Sequence, residues 1–335
     1  MPVITTEVVH YAETGGTATI VEADDLLVVL DQQWTAEGAN VVRSDARTGY
    51  QPAAGVVAAQ RYWSITTEGE LYMPTVTSSG TWAGWHWYDL LLSVPCQIAT
   101  DFTADTVTIT PPLGLASNRG ASGNYDVCTL ERRERNGNTY RATNVISALT
   151  GIEIEAGNRV TMAWEHWGDY AQPAATASYS PPASTLTPIV SRSVSVSITP
   201  EGDSALTLPC QTSVSWQSGL VGEVRPCIGN ANAFGGAVVR LDPDAATLQI
   251  VITVNPETSL PVWDDWTDLQ AAAIVVTIDD GTTTMTLTMP RCLLVEAPTV
   301  QDQGGELVYT LSYIQTQADP AAPAWTLQFA ANTPA

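Results

Sequence analysis

Apolar and polar residues alternate with a period of two through much of this chain. That spacing sets one face of a β-strand on a core and the other in solvent. Residues 61–72 (RYWSITTEGELY) follow it and predict a strand. Further strands are predicted over 106–110, 194–198, 205–216, 248–254, 307–314 and 325–330. In 150–167 (TGIEIEAGNRVTMAWEHW), Ile152 and Ile154 alternate with Glu153 and Glu155, so both carboxylates share one strand face. Two hairpins are marked by their turns: 126–135 with 139–145 around Asn136-Gly137, and 274–278 with 283–289 around Asp280-Gly281. A helical period runs over 85–94 until Pro95 stops it, and a second short helix is expected near 263–272. Residues 1–60 mix short strand-like runs, such as 25–31, with Gly- and Asp-rich turns.

The two halves repeat this order. In each, an alternating strand precedes a Trp-rich helix carrying W-x-D-L: Trp87, Asp89 and Leu90, then Trp266, Asp268 and Leu269. A hairpin, an apolar strand, a Gly-containing turn and a last alternating strand follow in both. Residues 144–167 pair without a gap with 291–314, setting Gly157 on Gly304, Val160 on Leu307 and Trp164 on Leu311. The matching order points to an internal duplication. It predicts a mainly β chain of two tandem domains, 1–172 and 192–335, each with a short flanking α-helix. They are joined by a Pro/Ala/Ser-rich linker at 173–191, within a biased stretch that begins near Ala171. An N-terminal arm (about 1–17) and a Gly-rich loop (111–125) belong to the first domain.

Composition narrows the function. There are 35 acidic residues against 13 basic ones, a formal charge of −22. All 13 basic residues are arginines, which removes Schiff-base chemistry and a P-loop lysine. So negative a surface repels phosphates, which argues against a protein that grips nucleic acid. The five cysteines form no C-x-x-C pair and are expected to be reduced, buried thiols. The opening residues do not read as a signal peptide, and no run approaches the length of a membrane span.

Candidate chemistry is sparse. Of three histidines, His10, His86 and His166, none sits in a metal-binding or catalytic motif. Glu153 and Glu155 would lie roughly 6–7 Å apart on one strand, between the separations used by retaining and inverting glycosidases. Adjacent same-face positions seldom bracket a sugar, however, and the matching positions of the second half are Val300 and Asp302. The acidic pairs Asp242/Asp244 and Asp279/Asp280 lack a calcium-loop pattern and read as solvated turns. The 11 tryptophans suit packing and subunit contacts better than sugar platforms. No enzymatic activity, cofactor or metal is expected.

The stretches RYWSITTEGELY, WYDLLLSV and NTYRATNVISALTGIEIEAGNRVTMAWEHWGDY in the first half carry a resemblance, as do LQIVITVNPETSLPVWDDWTDLQAAAIVVTIDDG and GGELVYTLSYI in the second. In element order and local character, most of 50–320 resembles the major tail tube proteins of long-tailed, non-contractile (siphovirus-type) bacteriophages. The resemblance implies β-sandwich or split-barrel domains whose strands join between subunits into a tube. It implies a virion protein of the tail, assembled in the host cytoplasm, with tail terminator, tape measure and tail-tip proteins as partners. It also implies an acidic lumen through which DNA passes without specific binding. Two tube domains per chain imply a trimeric ring with pseudo-six-fold symmetry, favoured over a hexamer. Under this reading Glu68, Glu70, Glu153, Glu155, Asp279 and Asp280 are lumen candidates. Trp85, Trp87, Trp164, Trp167, Trp263 and Trp266 are candidate packing or interface anchors. Another β-sandwich virion component, such as a tail-tip, decoration or adhesin protein, is the alternative, and a carbohydrate-binding or carbohydrate-cleaving protein is a more distant one.

Overall fold

The computed structural model describes residues 8–14, 19–20, 26–27, 29–38, 40–42, 56–58, 61–72, 75–76, 82–83, 90, 94, 96–101, 106–111, 127–135, 137–176, 189, 194–206, 208, 210–226, 234–254, 262–303, 305–317 and 322–331. Over these residues the chain is mainly β. The first half contributes β1 (Val8–Thr14), β2 (Asp31–Glu37), β3 (Tyr62–Glu70), β4 (Gln97–Asp101), β5 (Thr106–Thr110), β6 (Cys128–Glu134), β7 (Asn138–Glu155) and β8 (Thr161–Tyr170). The second contributes β9 (Val194–Pro200), β10 (Cys210–Gln217), β11 (Leu220–Pro226), β12 (Phe234–Leu241) and β13 (Thr247–Val254). A helix, α1 (Val262–Thr267), then leads to β14 (Ala271–Asp279), β15 (Thr283–Leu294), β16 (Thr299–Gln303), β17 (Glu306–Gln315) and β18 (Thr326–Ala331).

Antiparallel pairing orders the first half β1-β6-β7-β8-β3-β2. In the second half the order is β9-β14-β15-β17-β13-β10. In chain rank these are the same arrangement. The registers also correspond. Ile146 faces Trp167 and Ser147 faces His166 across β7 and β8. Under the gapless pairing of 144–167 with 291–314 these become Leu293 with Ile314 and Leu294 with Tyr313, which face each other across β15 and β17.

Two seams connect the halves. The last residues of β7 pair with β10, Ile152 opposite Trp216 and Ile154 opposite Val214. The C-terminal strand β18 lies between β15 of its own half and β5 of the first. One hydrogen-bonded sheet therefore runs through both halves, while among the described residues β11 and β12 pair only with each other. β7 can serve both β6 and β10 because its register slips between Thr143 and Ile146 and again between Leu149 and Gly151. Such irregularities bend a strand that would otherwise extend about 60 Å at 3.3 Å per residue. Asn144 adopts a left-handed φ of 51° at the first slip, a conformation that asparagine tolerates.

Alternation packs Ile65, Ile152, Trp164, Trp216, Ile250, Leu311, Trp325 and Phe329 into a continuous core. Trp325 meets Trp216 edge-on at 5.2 Å, and its indole Nε1–H donates to the Ser218 carbonyl at 2.8 Å. The Ser218 hydroxyl donates to the Leu149 carbonyl at 2.5 Å, tying the second half to β7.

Several details differ from the sequence expectation. Within the run 25–31, Leu26–Leu27 form a short strand paired with β1, and Asp31 opens β2, which runs on to Glu37. The strand expected over 205–216 begins at Cys210, with Leu206 bridged separately to Ile198. The helix near 263–272 ends at Thr267, because Ala271 and Ala272 are taken up by β14 opposite Leu293 and Cys292. Part of the expected N-terminal arm, Val8–Thr14, pairs along the whole of β6. Leu90 is helical, but Trp85, Trp87, loop residues 112–125 and linker residues 177–188 lie outside the described residues.

Candidate functional site

The seam between β7 and β10 produces an extended surface. Across it the order β2-β3-β8-β7-β10-β13-β17-β16 forms eight consecutive antiparallel strands, four from each half. Period-two alternation sends Ile65, Trp164, Ile152, Trp216, Leu248 and Leu311 to the core side. The opposite side carries Thr66, Glu68, Glu153, Ser215, Gln249, Ser312 and their neighbours. Counting β7 only from Gly151, these eight strands contain ten carboxylates and no arginine.

Cations near this surface are held by acidic partners. Arg159, in the turn after β7, forms an ion pair with Glu70, whose carboxylate also accepts the Tyr72 hydroxyl at 2.6 Å. On the β6–β7 hairpin, Glu131 binds Arg133 and Arg141, and Glu134 binds Arg132. Arg132 also lies 5.0 Å from the Tyr140 ring centre. The face is thus negative chiefly over its four first-half strands, which hold eight of the ten carboxylates, while β10 and β13 carry none and Asp302 is in phase with the core-side residues.

Glu68, Glu153 and Glu155 are exposed on this face. Glu70 shares it but is buried, in the ion pair just described. Asp279 and Asp280 lie elsewhere, at the turn between β14 and β15, where they build the turn itself. Asp279 accepts the Gly281 amide at 2.7 Å, and Asp280 accepts the amides of Thr282 and Thr283 at 2.8 and 2.7 Å.

The tryptophans divide similarly. Trp164 and Trp167 are buried in the first half, and Trp266 is partly buried against the core. Trp263 is 42% exposed on α1, edge-on to Trp266.

Six of the ten carboxylates were not among the sequence candidates, Asp31 and Glu165 among them. With Glu68, Asp31 and Glu165 line a polar cleft of about 280 Å³ on the first half. Partial burial raises the Glu165 carboxyl above its ordinary range. Alternation along β8 sets Glu165 on the side opposite Trp164, but its alignment with Glu153 and Glu68 comes only from the β7–β8–β3 pairing. It is flanked by aromatics, which drew attention to packing.

His166 points the other way, into the core. Its ring lies between Ser147 Oγ at 2.8 Å and Thr67 Oγ1 at 2.9 Å and stacks on Trp164. Burial pushes its pKa down to about 3, so it is neutral at physiological pH. Burial likewise pushes the Cys292 thiol up to about 12, unlike an activated nucleophile. Among the described residues, no group of three His, Cys, Asp or Glu side chains could hold a metal ion. No helix among them is long and apolar enough to cross a membrane. The chain matches no protein-family model and no curated protein.

Proposed function

We propose that this chain is a structural subunit of a phage-type tail tube, with no enzymatic activity. Its two halves are tandem, duplicated tube domains, and its eight-stranded acidic face lines the bore. The observation that carries this reading is the sheet itself: eight consecutive strands, continuous between the halves, with ten carboxylates, eight of them in the first half, and no arginine when β7 is counted from Gly151. A wall of that charge repels a phosphate backbone, so duplex DNA slides past without adhering. The common strand order and register of the halves support the duplication. If three chains closed a ring, they would contribute about 24 strands to one barrel, above the size at which barrels leave an aqueous channel.

In this role the protein acts in the virion tail after assembly in the host cytoplasm. Its partners are further copies of itself and the tail terminator, tape measure and tail-tip proteins. Negative-stain microscopy of the purified chain tests the reading. Hollow tubes built from stacked rings are expected, whereas a protein that stays monomeric at high concentration contradicts it.

The cleft of Asp31, Glu68 and Glu165 favours one second reading, a glycan-binding or glycan-cleaving site. In that case Glu165→Gln would abolish hydrolysis or retention of oligosaccharides, while tube formation would be absent from the wild-type protein.

A further inference from the structure

The seam inside the chain has unmatched counterparts at its two ends. Within the chain, residues 151–155 pair with β10. By strand order and register, the second-half counterpart of 151–155 is β16, and the first-half counterpart of β10 is β2. Each of these strands is paired on one side only among the described residues, β16 with β17 and β2 with β3. The correspondence extends to side chains. Trp216 reaches Tyr313 through Leu248, and Trp34 reaches His166 through Ile65, so Trp34 takes the position of Trp216. Ile152 faces Met162, and Val300 faces Tyr309, the residue matched to Met162, so Val300 takes the position of Ile152, one residue away from the gapless sequence pairing, which set it on Glu153. Ile152 is 2% exposed inside the seam; Val300 is 39% exposed at the open edge.

An independent surface repeats the mismatch. In the first half, the β11–β12 hairpin of the second half lies over β7 and β8. There Gly222 sits so close to the Trp167 ring that a Cβ would come within 2.2 Å, and Gly236 lies against Ile146. The matched residues of the second half, Ile314 and Leu293, line an apolar pocket of about 310 Å³ with Val295, Leu241 and Ala324. The hairpin corresponding to β11–β12, between β2 and β3, is present in the first half as Asn40–Val42 paired with Val56–Ala58.

From this we infer that copies of the chain join head to tail by repeating their own internal seam: β16 of one copy pairs antiparallel with β2 of the next. Resting on the tube reading, the inference specifies a register. Val300 lies opposite Trp34, Gln301 opposite Gln33 and Asp302 opposite Gln32, so no two like charges meet across the seam. The Asn40–Val42 and Val56–Ala58 strand pair of the incoming copy covers the pocket at Leu293 and Ile314, as β11–β12 covers Ile146 and Trp167. Exposed sheet edges are ready templates for such pairing.

Paired cysteines test the register. In an antiparallel seam, adjacent opposed pairs alternate between close and wide spacing, and the close one admits a disulfide. Full-length Gln33→Cys/Gln301→Cys and Gln32→Cys/Asp302→Cys proteins are oxidised, run on non-reducing gels and imaged by negative stain. The single-cysteine parents serve as controls for the native thiols, and circular dichroism checks the fold. One double variant is expected to convert most of its monomer band into a ladder absent from the parents, within hollow rings. Rings without a ladder in either variant overturn the seam and leave the tube reading standing. A ladder without hollow rings supports the seam and contradicts the tube. Folded variants that give neither overturn both.

Discussion

Each half of this molecule has one strand edge sealed by the other half and one left open among the described residues. Ile152 and Trp216 are sealed within the seam between β7 and β10, while Val300 and Trp34, in the matching places, line edges that are unpaired among the described residues. Trp34 is only partly buried, in edge contact with Trp63 at 5.6 Å. The same structural position therefore reads as core in one half and as surface in the other. What decides is whether a neighbouring strand comes from the same chain. Under the proposed seam, burial in the isolated subunit understates the burial of these positions in the assembly.

Substitutions at matched positions sharpen this contrast. The largest effect is expected at the tryptophans. Trp216→Ala should lower the stability of the subunit by about 3–5 kcal/mol, the usual result of emptying a buried aromatic site. Trp34→Ala should cost the isolated subunit less than half as much. Chemical denaturation of monomeric protein measures both, and equal losses would break the comparison.

Glycine comes next. Gly151 and Thr299 occupy equivalent places, each opposite matched residues, Ala163 and Thr310. A Cβ on Gly151 would come within 2.6 Å of the Trp216 backbone carbonyl across the seam. Gly151→Val should destabilise the subunit by about 1–3 kcal/mol, while Thr299→Val at the open edge should change it by less than about 0.5 kcal/mol.

The third contrast is one of pH. His166 in the first half is matched by Tyr313 in the second. The folded protein holds His166 neutral, with its pKa lowered to about 3, whereas the unfolded chain protonates it near 6.5. Below pH 6.5 the unfolded state therefore binds the extra proton. The contribution of neutral His166 is complete above pH 6.5 and is lost as the pH falls towards 3, by up to about 1.4 kcal/mol per unit. His166→Gln should flatten stability between pH 6.5 and 5, before the carboxylates titrate. An unchanged slope would remove His166 as its cause.

The smallest effect is expected at Trp263, exposed on α1. Trp263→Ala should leave thermal unfolding of the subunit within about 0.5 kcal/mol of wild type, so any larger change in assembly yield, read by sedimentation, would mark it as a subunit contact.

Much of this fold was legible because half-buried strands announce themselves by alternation. Residues 62–70, 106–110 and 306–315 are strands where their pattern placed them, and both Asn-Gly and Asp-Gly hairpins form. The β11–β12 hairpin was not legible. Gly222, Gly235 and Gly236 interrupt its alternation, and glycine is needed at position 222 so that the backbone can lie on Trp167. Strand β2 was hidden by its edge position, since most of DQQWTAE is polar and only one flank is paired. The length of β7 was hidden by its two slips, which break a period-two pattern without ending the strand. The in-phase glutamates Glu68 and Glu153 could be read from local alternation. Bringing them onto one face with Asp31 and Glu165 required cross-strand pairing, which lies in no local window of sequence. Asp279 and Asp280 show the converse: an acidic pair beside a turn glycine is explained by the turn.

The most direct test of the central claim is a cryo-electron microscopy map of the assembled protein. The account predicts hollow rings of three chains, with Glu68, Glu153, Glu155 and Glu165 turned into the bore. Solid filaments, rings of six chains, or a map that puts this face on the outer surface would contradict it.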